Sequence, residues 1–273
     1  NGCVLVKKVN DFAAIIALKC ETDFVAKNAD FVALTQAILD AAVENKCKTL
    51  DEVKALPLGN GTVQDAVTDR SGITGEKMEL DGYNWIEGAA TAIYNHQGKN
   101  ALCTIAAFNK PADEKVAHEI VMQIAAMNPI AIDEDGVSEE IKQKEIQVAI
   151  DKTKAEQVQK AVEAALKKAG FNLYIAENEE HLNEGVMKGN ITEAQAEEIR
   201  QLKAKVAEEK AANLPAAMIE NIAKGRLGKF LKEVCLLKQE DIMDPKKTVA
   251  DVLKESDPEL KVVDFKRFTL RAE

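Results

Sequence analysis

The chain begins with two apolar runs that only two polar residues separate. The runs Cys3–Val9 and Phe12–Lys19 flank the dipeptide Asn10-Asp11, and this arrangement is typical of two antiparallel strands joined by a tight turn. The next segment, Ala29–Glu44, repeats its apolar residues at intervals of three and four, as a helix with one buried face does. The start of the chain therefore predicts a β-hairpin followed by an amphipathic helix.

Three further apolar segments complete a first unit, which we predict to span residues 1–108. They are Lys77–Tyr83, Trp85–Tyr94 and Ala101–Phe108, and the turn-forming dipeptide Asp81-Gly82 helps to delimit them. Their length and their β-branched and aromatic residues predict antiparallel strands. Strands and helices thus alternate in blocks, which predicts an α+β fold built from small antiparallel sheets packed with helices.

A second α+β unit is predicted for residues 109–150 together with residues 215–273. It opens with a helix over Ala112–Met127, which stops before Asn128-Pro129 because a residue that precedes proline avoids the helical region. A closing strand is predicted over Lys261–Thr269.

Between these two parts of the second unit lies an insertion, residues 151–214, that is rich in Ala, Glu, Lys and Gln. Two apolar seams at three- and four-residue spacing run through it, one around Val162 and one around Ile199. This pattern predicts an antiparallel helical hairpin that resembles a short coiled coil and projects from the body. Self-association through the hairpin, giving a homodimer, is its expected use.

Charge and cysteine content restrict the class of protein. The net charge of −10 argues against a mainly electrostatic contact with nucleic acid, so we expect no direct binding to it. The five cysteines include no C-x-x-C pair, which indicates reduced, buried thiols. The sequence contains neither a long apolar span nor a signal segment, so we expect a cytoplasmic protein without membrane contact.

No motif for covalent chemistry stands out. The three histidines, His96, His118 and His181, lack the spacing of metal ligands. The glycine-containing stretches Gly72–Lys77 and Gly225–Phe230 lack the pattern of a phosphate-binding loop. We therefore expect no catalytic residue, no metal site and no cofactor, and a protein that is not an enzyme.

The most distinctive stretch follows the second apolar run and reads T-D-F-V-A-K-N, from Thr22 to Asn28. Its residue types alone favour Phe24 as a core residue and Asp23 as a helix cap, with Asn28 capping the next helix. The sequence of this stretch nevertheless resembles the signature of the elongation factor Ts family. Other stretches resemble the same family: Ile124–Pro129, Ile222–Phe230, and the segment from Gln239 to Val249.

The resemblance implies a guanine-nucleotide exchange factor that binds the GTPase elongation factor Tu during translation. In this family the N-terminal part of the core contacts the nucleotide-binding domain of the GTPase, and the C-terminal part contacts its third domain. The Asp-Phe pair of the family intrudes near the magnesium and phosphate site, and here that pair is Asp23 and Phe24. Supporting residues of the same turn would be Thr22, Val25 and Asn28.

Two further expectations concern the second half of the chain and its start. Gln123 stands where some relatives have a histidine in a contact helix, and Gln123 and Met127 are candidate contacts of that helix. Relatives carry an N-terminal helical domain that this sequence does not show, so we expect the natural chain to start upstream. The alternative to an exchange factor is a structural or assembly protein that uses the helical hairpin and buries the signature as core.

Overall fold

The computed structural model describes residues 1–271 and confirms the predicted α+β class. The chain divides into two compact units, which are described separately below. Unit 1 comprises Asn1–Val137 and the chain from Leu231 onward, and unit 2 comprises Ser138–Phe230. The three-part division anticipated above stays a prediction.

Unit 1 holds two three-stranded antiparallel sheets, with strand orders β1-β2-β5 and β6-β7-β8, and a two-stranded ribbon, β3-β4. The strands are β1 Gly2–Val9, β2 Phe12–Lys19, β3 Pro57–Leu58, β4 Gly61–Thr62, β5 Glu79–Glu87, β6 Ala90–Asn95, β7 Leu102–Phe108 and β8 Val262–Thr269. The predicted hairpin is present, because Val9 pairs with Phe12 and Asn10 adopts a left-handed conformation with φ 54°.

The helices of unit 1 are α1 Asp23–Ala26, α2 Ala29–Glu44, α3 Leu50–Ala55, α4 Val63–Thr74 and α5 Glu114–Met127, together with a later helix, Val249–Ser256, near the end of the chain. Asn28 caps α2, as the sequence indicated, and Thr62 and Thr248 cap two further helices of unit 1.

Two strand boundaries differ from the prediction. Tyr83 and Trp85 lie in the same strand, β5, so the expected break between them is wrong. The dipeptide Asp81-Gly82 does not form a turn: Gly82 pairs with Ala17 and Leu80 pairs with Leu18, which leaves Asp81 as the extra residue of a β-bulge. The strand break falls instead at Gly88 and Ala89, between β5 and β6, and the backbone N–H of Gly88 donates to Asp11 O at 3.0 Å.

The two sheets of unit 1 face each other, and a helix covers the outer side of each sheet. Strand β2 shows why its sequence is apolar throughout. Phe12, Ile16 and their alternate neighbours pack under α2, whereas Ala13 and Ile15 face the other sheet. Since both faces of β2 are buried, the strand has no polar side. Helix α5 packs on the sheet that contains β6 and β7.

Unit 2 is helical. Its helices are α6 Glu139–Lys168, α7 Leu173–Ala176, α8 Glu179–Met187, α9 Glu193–Ala212 and α10 Ala216–Val234, the last of which continues into unit 1. Helices α6 and α9 pack against each other, and their shared core contains Val162, Leu166, Ala196 and Ile199. Two short helices, α7 and α8, lie between them in sequence, where the prediction had a simple connection. The coiled-coil description of this segment stays a prediction.

Candidate partner-binding site

The signature occupies the connection between β2 and α2, as predicted. Thr22 has an extended backbone and is the N-cap of α1, and its Oγ1 accepts from the backbone N–H of Val25 at 3.3 Å. Helix α1 is a single turn, and Asn28 then caps α2 by accepting from Asp30 N at 2.9 Å. We call residues 21–28 the signature turn. The signature turn therefore consists of one short helix between the buried strand β2 and helix α2, which has one buried face.

Phe24 is not a core residue. Its side chain is 89 % exposed, which makes the alternative assignment of Phe24 to the core wrong. Asp23 is also exposed and lies in the first turn of α1, but the cap of α1 is Thr22, so the expected capping role of Asp23 is wrong too. Val25, by contrast, is half-buried and packs on the core under α2. The turn thus anchors Val25 and presents Asp23 and Phe24 to solvent.

Two residues outside the signature turn, Cys20 and Glu76, form hydrogen bonds that fix its backbone. Cys20 is buried, and its thiol donates to Thr22 O at 3.3 Å; burial raises the pKa of this thiol. The carboxylate of Glu76, far along the chain, accepts from the hydroxyl of Thr22, and this bond holds the pKa of Glu76 below its usual range. No motif in the sequence indicated Glu76, because the segment around it was notable only for lacking a phosphate-loop pattern.

A groove of about 720 Å³ lies beside Asp23. Asp23 and Ala26 line one side of it, and Lys27, Lys99 and Arg271 add three cationic side chains. The carboxylate of Asp23 therefore stands at the margin of a surface that is otherwise positively charged.

The predicted contact helix, α5, contains Gln123 and ends at Met127, and the two side chains have different surroundings. Gln123 is fully buried: its Nε2 donates to Gln239 Oε1 at 3.2 Å and to Glu240 O at 3.1 Å, and its Oε1 accepts from Ile242 N at 2.9 Å. These bonds hold the side chain inside the described structure, and the expected contact between Gln123 and a partner stays a prediction. Met127, at the end of the same helix, is 46 % exposed and stays a candidate contact.

Other kinds of site find little support in the described part of the chain. Within residues 1–271, His, Cys, Asp and Glu side chains nowhere gather in a group of three or more that would hold a metal ion. The five cysteines, all within residues 1–271, are buried and form no disulfide bond. None of the helices in this range combines the length and apolar content needed to cross a membrane.

An exposed aromatic side chain beside an exposed carboxylate, on a turn held by buried neighbours, is the arrangement of a module that binds another protein. Comparison with known proteins names the family. Residues 21–272 match the family described as Elongation factor TS, and the chain belongs to this family.

Individual relatives agree with that assignment over the whole chain. The sequence is 74 % identical to elongation factor Ts of Phocaeicola vulgatus over 273 residues, which is 100 % of this chain and 83 % of that protein. It is 73 % identical to elongation factor Ts of Parabacteroides distasonis with the same coverage. Elongation factor Ts of Porphyromonas gingivalis is 40 % identical over 274 residues, 100 % of this chain and 79 % of that protein. Family membership confirms the prediction of a translation elongation factor that is not an enzyme.

Proposed function

We propose that the protein binds elongation factor Tu and promotes the release of GDP by inserting Asp23 and Phe24 near the magnesium and phosphate site of that GTPase. The observation that carries this proposal is the exposure of Phe24, which is 89 % accessible although the hydrophobic effect favours its burial. A structural role for the signature would place Phe24 in the core. The alternative, an assembly protein with a buried signature, therefore loses its main support.

Phe24 would act as an apolar wedge. Burying a phenylalanine side chain stabilises a complex by about 1.5–3 kcal/mol. Phe24 gains that free energy only if the GTPase adopts a conformation with a cavity for the ring, so binding favours that conformation over the one that holds the nucleotide firmly. The coupling is reciprocal: a factor that weakens nucleotide binding is itself bound more weakly when nucleotide is present.

Asp23 would act through the negative charge of its carboxylate near the magnesium ion of the partner. A bound magnesium ion is the largest local charge in a phosphate site, and an additional carboxylate competes for the groups and waters that hold the ion. Thr22, Val25 and Asn28 would set the direction in which Asp23 and Phe24 point, through the two caps and the apolar anchor described above.

A second contact would lie at the end of α5. Met127 is exposed there, and Met243, which follows the backbone that Gln123 holds through Ile242, is 63 % exposed. Such flexible apolar side chains suit a protein interface. Gln123 would support this surface from below. Cytoplasmic location and homodimer formation through the helical hairpin remain parts of the proposal.

The test is the release of a fluorescent GDP analogue from elongation factor Tu, measured by stopped flow with and without this chain. We expect the chain to accelerate release. In a Phe24→Ala variant the maximal acceleration should fall by roughly ten- to a hundredfold, because about 1.4 kcal/mol corresponds to a factor of ten and the ring contributes about 1.5–3 kcal/mol.

The matched control is Tyr174→Ala, which removes another exposed aromatic side chain, 64 % accessible and in unit 2. Both variants should unfold at the same urea concentration as the parent, since neither ring is buried. A parent chain that leaves GDP release unchanged would refute the exchange function. An active parent with an equally active Phe24→Ala variant would refute the wedge alone.

A further inference from the structure

The short helix that carries Asp23 and Phe24 depends on contacts outside the helix for its orientation. Helix α1 is a single turn, and none of its residues is buried. An isolated turn of helix is unstable, because fixing its first residues costs more than its few hydrogen bonds return. Packing contributes only through the half-buried Val25. The direction of Phe24 must therefore depend on the hydrogen bonds at the start of α1.

One carboxylate, that of Glu76, supplies most of those bonds. Its Oε1 accepts from two successive backbone N–H groups, those of Glu21 at 3.0 Å and Thr22 at 2.9 Å. Its Oε2 accepts from the hydroxyl of Thr22 at 2.6 Å. Hydrogen bonds to a charged acceptor are shorter and about twice as strong as neutral ones. Glu76 thus holds both the backbone and the capping side chain of the signature turn.

The bond to the hydroxyl also sets the capping geometry of Thr22. A hydroxyl group has one proton to donate and lone pairs with which to accept. Because Thr22 donates its proton to Glu76, a lone pair of its Oγ1 is left to accept from Val25 N, which is the bond that starts α1. Without Glu76 the hydroxyl would be free to rotate, and the cap would compete with water.

Glu76 is itself held in place. It follows Gly75, which ends α4 in the left-handed region with φ 71°, a conformation that a side chain at this position would oppose. Its carbonyl accepts from Ser71 Oγ at 2.6 Å, and its N–H donates to Thr74 Oγ1 at 3.2 Å. Lys77 N donates in return to the Glu21 carboxylate at 3.2 Å. The end of α4 is therefore a fixed support for the signature turn.

We infer that Glu76 is a positioning residue for nucleotide exchange: it touches neither nucleotide nor magnesium, but it fixes the turn so that Phe24 meets its cavity in the partner. This inference rests on the proposed exchange function. The inference predicts different effects on the maximal exchange rate and on the affinity for the partner. A mobile turn binds its partner through the remaining surface, yet only the fraction with the correct orientation opens the nucleotide site. Loss of Glu76 should therefore lower the maximal rate more than it lowers affinity.

The experiment compares the parent chain with Glu76→Ala and Glu76→Gln in the GDP-release assay, over a series of factor concentrations. We expect Glu76→Ala to lower the maximal rate about tenfold and to raise the half-saturating concentration less than threefold. Glu76→Gln should lie between, since its Oε1 can still accept from the two backbone N–H groups but its amide cannot accept the Thr22 proton.

The matched control is Glu52→Ala. Glu52 also accepts a backbone N–H, that of Lys48 at 2.8 Å, at the start of a helix in unit 1, but it has no contact with the signature turn. This variant should keep the parent rate. A Thr22→Val change should slow exchange as well, and its effect combined with Glu76→Ala should be smaller than the sum of the two single effects, because the two residues share one hydrogen bond.

Three outcomes decide the matter. The inference is supported if the folded Glu76 variants have a reduced maximal rate and a nearly unchanged half-saturating concentration. The effects of Glu76→Ala and Thr22→Val should also be less than additive. An active parent together with folded, fully active Glu76→Ala and Glu76→Gln variants overturns it and leaves the exchange function standing. A parent chain that does not accelerate GDP release refutes both. If Glu76→Ala does not fold, Glu76→Gln alone decides.

Discussion

Two phenylalanines near the start of the chain have opposite surroundings, since one is in the core and the other is exposed. Phe12 is fully buried and stacks on Trp85, with 5.9 Å between ring centroids. Phe24 lies on a one-turn helix whose backbone is held by caps, and nothing covers its ring. Changing Phe12 would leave a cavity in the core, whereas changing Phe24 would leave the fold intact. A Phe24 variant can therefore test the proposed function without a change in stability.

At the same scale, Gly88 is required by close packing. A Cβ atom at this position would lie 2.9 Å from Ala107 Cβ and 2.9 Å from the backbone oxygen of Phe108, and both residues are buried in strand β7. We expect Gly88→Ala to lower the free energy of unfolding by about 1–3 kcal/mol, because the crowding atoms belong to a strand that cannot move aside.

Urea denaturation followed by circular dichroism measures this effect. The matched control is Gly72→Ala in α4, where a Cβ atom would meet nothing within 4 Å. Alanine is the better helix former, so this change should be neutral or stabilise by up to about 1 kcal/mol. Equal midpoints for the two variants would show that the chain at Gly88 relaxes easily.

At the scale of elements, local signals predicted what local chemistry determines. The Asn10-Asp11 turn and the cap at Asn28 depend on neighbours only a few residues away, and these predictions were confirmed. The dipeptide Asp81-Gly82 carried a turn signal but lies in a bulge, because pairing with β2 overrides local preference. The role of Glu76 was not predicted for the same reason: its partners in the signature turn, Glu21 and Thr22, are more than 50 residues distant along the chain.

Gln123 gives a testable case of an element held by a buried polar side chain. It ties α5 to the segment around Gln239 and Ile242. Replacing it by leucine keeps the volume but leaves the backbone N–H of Ile242 and the amide of Gln239 with fewer partners. Since an unsatisfied buried polar group costs about 1–3 kcal/mol, we expect Gln123→Leu to destabilise the protein by about 2 kcal/mol.

The comparison for this prediction is Gln64→Leu, which changes an exposed glutamine on α4 whose side-chain amide donates to Thr68 Oγ1 at 3.4 Å. Surface changes of this kind stay within about 0.5 kcal/mol. Thermal and urea unfolding of both variants would separate the two cases. A Gln123→Leu variant as stable as the parent would mean that water replaces the lost hydrogen bonds.

At the scale of the whole molecule, the two units differ in how much apolar surface they bury. Unit 1 contains three hydrophobic clusters with several large buried side chains, among them Phe12, Phe31 and Phe108. The core of unit 2 is a single cluster of smaller residues at one end of α6 and α9. Because buried apolar area is the main stabilising contribution, unit 2 should open at a lower free energy than unit 1.

The cysteines allow the two units to be followed separately. All five are buried and lie in unit 1, and burial raises the pKa of Cys3 to about 11 and that of Cys103 to about 12. Their thiols should therefore react slowly with an alkylating reagent until unit 1 unfolds. In a urea series we expect helical circular dichroism to begin falling, as unit 2 unfolds, at concentrations where the thiols are still protected.

Matched core substitutions test whether the early fall in circular dichroism belongs to unit 2 and the thiol labelling to unit 1. Ile199→Ala, in the cluster of unit 2, should move the first step to lower urea, because removing a buried isoleucine side chain costs about 2–5 kcal/mol, and should leave the labelling curve in place. Ile15→Ala, between the two sheets of unit 1, should move the labelling curve instead. If thiol labelling and circular dichroism coincide in the parent and shift together in both variants, the two units unfold as one cooperative structure and the ranking from buried area is wrong.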